Sequence, residues 1–195
     1  DSTKTPERAS IASGGYALTT WVIAAERGIL PKDTARRITA GTLKTLLNNA
    51  SQFKGFFAHF LVTETGERYG KTEFSTIDTA ICLNGVITAS AYFHDEEISQ
   101  LAEAVLERVD WVFLVFEQDG KALFHMSYNP DRGGSYVTDK PGFISQWNNA
   151  SEQIMMYLQA AKSLGPMQAR KLYAGFSRNT GQYQGAQFII NPLGS

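Results

Sequence analysis

Three carboxylates stand where a helix is about to begin. Glu73 and Asp78 bracket Ser75-Thr76-Ile77, and Glu152 follows Trp147-Asn148-Asn149. Ser75-x-x-Asp78 and Asn149-x-x-Glu152 both have the spacing of a capping box, in which a polar side chain takes an orphan helix amide and the acid bonds back. A carboxylate fixed by its own helix is also a rigid acceptor for a ligand hydroxyl, so Asp78 can serve both uses. Glu73, in a loop, reads first as a solvated charge. The aromatic residues Phe56, Phe57, His59, Trp111, Tyr136 and Trp147 fall in expected loops. Such rings are the usual platforms for sugar faces, because the CH groups of a pyranose pack on a π surface while its hydroxyls seek planar acceptors. Core packing competes with that use for each of them. The loop Asn129-Pro130-Asp131-Arg132-Gly133-Gly134 offers a carboxylate and a guanidinium to hydroxyls, or simply a turn.

Other chemistries find little support. His59, His94 and His125 are too widely separated to form a metal site, there is no His-x-x-x-His and only one cysteine, so neither metal nor cofactor is expected. Gly14-Gly15 and Gly133-Gly134 lack the spacing and the Lys-Ser/Thr of a phosphate loop. Eighteen basic against 19 acidic residues leave a net charge of -1, which provides no field for nucleic acid. Apolar runs reach only about ten residues, too short to span a bilayer. The opening Asp1-Ser2-Thr3-Lys4-Thr5-Pro6 has no signal-peptide pattern, and a leader already removed would leave the same beginning. Cys82 lies in an apolar helical run and is expected as a buried thiol.

The elements that position these residues follow from periodicity. Apolar residues recur at helical spacing from Glu7 to Arg27 and again from Lys32 or Asp33 to Asn49, with Gly28 and Pro31 between them, so the two helices should be antiparallel neighbours. Gly55 to Val62 is too aromatic and too short for a helix and reads as a small β-hairpin or extended loop. A third helix, capped by Ser75, runs to about Phe93, and a fourth begins near Asp95-Glu96-Glu97, where the helix dipole favours acids. Trp111–Phe116 and Ala122–Met126 flank Asp119-Gly120, a strong hairpin signal. A glycine-rich irregular passage follows from Asn129 to Gly142. A fifth helix is expected from Asn149 or Ala150 to Ser163 and a sixth from Met167 to Ser177, with no clear element from Gly181 to Ser195. The fold class is therefore all-α with small β-hairpins, built from three antiparallel helix pairs as one module over residues 1–195. Such pairs are the repeat of a toroid, and closing a ring of six would need about twice this length.

Glu73-Phe74-Ser75-Thr76-Ile77-Asp78-Thr79-Ala80, preceded by Gly55-Phe56-Phe57-Ala58-His59-Phe60 and Thr65-Gly66-Glu67-Arg68, resembles the signature of the glycoamylase-like bacterial glycoside hydrolases that include endo-β-1,2-glucanases. Ala9–Ala12, Ala24–Gly28, Glu107–Trp111 and Ala150–Leu158 agree with further landmarks of that family, in order and at compatible spacing. The resemblance implies the amino-terminal half of an (α/α)6 barrel, with a cleft built from loops at one end. It implies glucan hydrolysis, most directly of β-1,2-glucan, in the periplasm or at the cell surface, with the cytoplasm as the alternative. The partner would be a glucan, together with the remaining half of the barrel or a second copy. The alternative is a carbohydrate-binding or scaffold piece without catalysis.

Glycoside hydrolysis needs a protonated carboxylic acid near the leaving oxygen and usually a second carboxylate. The resemblance places Glu152 on the family's catalytic glutamate, with Asp78 as a second acid of the catalytic set and Glu73 as a substrate-binding acid. Trp147, Phe57, His59, Trp111, Asp131, Arg132 and Tyr136 are substrate-binding candidates by their own chemistry and loop positions. Physics sets a condition on Glu152. A helix amino terminus favours the charged carboxylate, whereas a general acid must hold its proton near neutrality, so apolar walls from Trp147, Phe143 and Tyr157 or a nearby carboxylate would have to overcome the dipole.

Overall fold

The computed structural model describes residues 4–131 and 141–193. They fall into two compact units that divide between Asp110 and Trp111. The first contains strand β1 (Arg8–Ser10), helices α1 (Ile11–Glu26) and α2 (Lys32–Asn48), strands β2 (Gln52–Phe53), β3 (Phe56–Phe57), β4 (Phe60–Val62) and β5 (Phe74–Ser75), and helices α3 (Thr76–Phe93) and α4 (Glu96–Glu107).

The expected first helix is shorter than its periodicity suggests. Arg8–Ser10 pairs antiparallel with β4, Ser10 opposite Phe60, and backbone committed to that ladder cannot close helical bonds. The aromatic run is extended as expected, but the β2–β3 hairpin starts before it, Gln52 pairing with Phe57 across Lys54-Gly55.

Two helix hairpins lie side by side. Gly15 on α1 meets Cys82 and Gly85 on α3, and further along Tyr92 donates a 3.1 Å hydrogen bond to Glu26, so α1 and α3 run parallel. Arg36 reaches Asp95 at 3.3 Å while Arg108 donates to the Leu47 carbonyl, which makes α2 and α4 parallel as well. Within the first hairpin α1 and α2 are antiparallel, Ser13 and Gly14 at the start of α1 lining a common cavity with Thr45 and Leu46 near the end of α2. Glycine is required where α1 and α3 cross, because a Cβ on Gly15 would lie 2.6 Å from the Cys82 Cα and one on Gly85 would lie 2.7 Å from the Gly15 carbonyl carbon. Cys82 is buried in this contact, as expected, and burial pushes its thiol up to about 12.

The second unit opens with a 3-10 turn at Trp111–Leu114 rather than the expected strand, so pairing starts only at Val115. Strands β6 (Val115–Gln118), β7 (Lys121–Tyr128) and β8 (Phe143–Gln146) form an antiparallel sheet with β7 central. Asp119 and Gly120, both at positive φ, make the expected tight turn. Strand β8 was not foreseen; its partner is supplied by β7, a long-range pairing that local composition does not encode.

Helix α5 (Ile154–Gly175) is continuous except at Gly165, where φ 76° and ψ 162° break it before Pro166. Rings eight residues to either side, Tyr157 and Tyr173, meet with centroids 6.1 Å apart. A straight helix would separate them by about 24 Å, so the segment folds back on itself. The expected fifth and sixth helices are therefore the two arms of a third hairpin, joined by one residue. The carboxyl-terminal stretch also departs from expectation, with β9 (Asn179–Tyr183) and β10 (Ala186–Ile190) pairing across Gln184-Gly185. Among the described residues no helix is long and apolar enough to cross a membrane.

Candidate functional site

The first unit assembles a cluster of three candidate residues. The His59 amide donates to the Glu73 carbonyl at 2.9 Å, and the first amide of α1, Ile11, donates to the His59 carbonyl at 3.1 Å. The Phe57 amide meanwhile donates to the buried Thr79 hydroxyl at 2.9 Å, tying β3 to the first turn of α3. Backbone pairing thus holds His59 beside Glu73 and beside the start of α3. Its Nδ1 lies 2.8 Å from Glu73 Oε1 and its Nε2 3.6 Å from Asp78 Oδ1.

Ser75 caps α3 as expected, its hydroxyl accepting from the Asp78 amide at 3.3 Å. Asp78 differs from a full capping box. Its Oδ2 accepts the Ser75 hydroxyl proton at 2.6 Å instead of reaching a backbone amide, which turns Oδ1 toward His59. Thr72 donates to Glu73 Oε2 at 3.3 Å.

Electrostatics follow from this geometry. The hydrogen bond from His59 holds the Glu73 carboxyl down to about 2, against the opposite push of burial. The same bond raises His59 above 6.5, helped by the Asp78 and Glu73 charges and opposed by burial and by Arg8. Glu73 is therefore ionised at neutral pH, and the His59 cation is more favoured than that of a free imidazole. One face of the His59 ring is covered by Phe60, with centroids 4.0 Å apart, and Arg8 caps Phe60 from 4.5 Å. Sequence reading missed this stack, and no local signal announces it, because Arg8 arrives from a strand 52 residues before Phe60.

The second unit contains Glu152. It is exposed, in the turn before α5, so the helix starts later than the expected Asn149 or Ala150. The expected box is replaced by Gln153. That fully buried side chain accepts from the Ser151 amide at 2.8 Å and donates to the Asn149 carbonyl at 2.7 Å. The walls expected around Glu152 point elsewhere. Trp147 is buried, Phe143 is half-buried against Tyr128 and His125, and Tyr157 is stacked between Phe124 and Phe176. Burial pushes the Tyr157 phenol up to about 12, so it stays a neutral group.

Two expected platforms are corrected. Phe57 and Trp111 are core side chains with no open ring face, Trp111 packing on Phe124. Asp131 is exposed at the end of the described segment. Arg132 and Tyr136 lie outside the described residues. Among the described residues no group of His, Cys, Asp and Glu is arranged to hold a metal ion.

No protein-family model matches the chain, nor does any curated protein sequence. Solved structures do resemble it. A Bacteroides uniformis protein proposed to be a glucoamylase superposes with a TM-score of 0.74 at 17% identity, over 95% of this chain and 46% of that one. An endo-β-1,2-glucanase from Chitinophaga pinensis, solved with sophorotriose and glucose, gives 0.69 at 17% identity over 94% and 45%. A β-1,2-glucanase from Parabacteroides distasonis gives 0.66 at 19% identity over 87% and 25%. The chain therefore shares the fold of these proteins, and it spans less than half their length.

Proposed function

We propose that this chain carries part of the site of a glycoside hydrolase acting on a β-glucan, with β-1,2-glucan as the leading substrate. The observation that carries the reading is the likeness of fold to two β-1,2-glucanases. In this reading Glu152 is the proton donor and Asp78 a second acid of the site. Glu73, His59, Asp131, Arg132 and Tyr136 bind substrate, while the buried Phe57, Trp111 and Trp147 are left to packing. The three helix hairpins form about half of an (α/α)6 ring. Further chain or a second copy completes it, and the enzyme works in the periplasm or at the cell surface. Glu152 stands exposed, so the desolvation an acid catalyst requires must come from the bound glucan and from whatever covers the cleft. Glu152 is also relieved of capping, which Gln153 performs, so its carboxylate is available to a substrate.

A second reading, a carbohydrate-binding piece without catalysis, is favoured by that same exposure. Titration of the protein with β-1,2-, β-1,3- and α-1,4-linked gluco-oligosaccharides, followed by assay of reducing ends, separates the two. Hydrolysis is expected with the β-1,2 oligomers. Binding without hydrolysis would favour the second reading, and absence of both would contradict any glucan role.

A further inference from the structure

Both ring nitrogens of His59 are turned toward carboxylates, Nδ1 to Glu73 and Nε2 to Asp78. An ionised carboxylate only accepts, so both contacts are favourable only when both nitrogens carry hydrogen, which is the imidazolium. A neutral ring with its hydrogen on Nδ1 would aim the Nε2 lone pair at an Asp78 oxygen.

The two contacts differ in kind. At 2.8 Å the Glu73 contact is a hydrogen bond, whereas 3.6 Å to Asp78 is too long for one. Asp78 Oδ2 is already engaged by Ser75 at 2.6 Å. A donor, Nε2–H, and an acceptor, Oδ1, therefore lie side by side without bonding each other. The His59 and Asp78 side chains are 29% and 15% exposed, so neither is sealed from solvent. The group that fits must accept from the nitrogen and donate to the oxygen at once. A hydroxyl does so; a carboxylate cannot donate and an ammonium cannot accept.

We infer that His59 and Asp78 form a subsite for a single sugar hydroxyl, which accepts from His59 Nε2–H and donates to Asp78 Oδ1, with Glu73 as the positioning residue that fixes the ring. The identity of the ligand as a glucan rests on the proposed function; the clamp does not. In this clamp the sugar is addressed by the edge of the imidazole, one face of which is covered by Phe60. The charged groups facing the ring are Glu73 from the loop before β5, Asp78 from α3 and Arg8 from β1. Of these only Arg8 opposes the cation.

Two measurements on the whole protein test this. In ¹⁵N-histidine spectra, His59 should titrate above 6.5, and Glu73→Gln and Asp78→Asn should each lower its midpoint. In calorimetry, β-1,2-gluco-oligosaccharide affinity should fall about tenfold or more in Asp78→Asn, and by a similar factor in the unmodified protein as pH rises through the His59 midpoint, the loss of a hydrogen bond to a charged group. Titration of His59 at or below 6.5 would overturn the clamp. Oligosaccharide binding indifferent both to Asp78→Asn and to pH would overturn the subsite while leaving the glucan reading intact. No binding by any oligosaccharide would overturn the subsite and the glucan reading together, with the His59 titration still reporting on the clamp.

Discussion

Gln153 donates a 2.7 Å hydrogen bond to the carbonyl of Asn149, four residues earlier, and so closes the turn that leads into α5. The neighbouring Glu152 is left pointing to solvent. Opposite consequences follow for two adjacent residues of similar size. Gln153→Ala removes two hydrogen bonds made by a buried side chain and should cost about 1–3 kcal/mol, whereas Glu152→Gln should stay within about 0.5 kcal/mol. Urea midpoints of the two variants check this; equal losses would return Glu152 to a capping role.

The His59–Glu73 pair predicts a stability window in pH. Glu73 is depressed from 4.5 to about 2, so its contribution is complete above 4.5 and is lost as pH falls toward 2. His59 is raised, so its contribution is complete below 6.5 and is lost as pH rises through its elevated midpoint. The difference in urea midpoint between the unmodified protein and Glu73→Gln should therefore be largest between about 4.5 and 6.5 and shrink on both sides. A flat difference across pH 3 to 9 would contradict the pairing.

Where α1 crosses α3, two successive glycines should respond in opposite directions. Gly15→Ala drives a methyl into the α3 backbone and should cost about 1–3 kcal/mol or more. Gly14→Ala meets nothing within 4 Å and should stabilise by about 0.5–1 kcal/mol through helix propensity. Thermal midpoints of the two variants decide it.

Gly165 lies in a backbone region open almost only to glycine, yet no atom stands within 4 Å of its missing Cβ. Gly165→Ala should therefore lose about 1–3 kcal/mol from backbone strain alone. The variant's urea midpoint, with unchanged near-ultraviolet dichroism from the Tyr157–Tyr173–Phe176 cluster, would show strain without repacking.

The helices were legible because each is long and periodic, with its ends marked by Ser75, Asp95 and Gly28. The tight turn at Asp119-Gly120 was legible for the same local reason. What escaped was set by distant partners. Arg8–Ser10 looks helical until β4 claims its backbone, β8 exists only because β7 lies beside it, and the β9–β10 hairpin carries no alternation that marks a buried face. At the candidate site, sequence identified the acids and their capping serine. It could not show that His59 joins Glu73 to Asp78, since that depends on a ladder between the segment after β3 and the segment before β5. Nor could it distinguish Glu152 from Gln153 as the residue that closes the turn, because burial decided between two adjacent polar side chains.

The most direct test of the account is the release of reducing ends from β-1,2-glucan by the protein and by its Glu152→Gln variant, assayed beside oligosaccharide binding. The account predicts hydrolysis that falls by about 10²- to 10⁴-fold on substitution while binding and the urea midpoint stay unchanged. Hydrolysis undiminished by the loss of this carboxylic acid would contradict it.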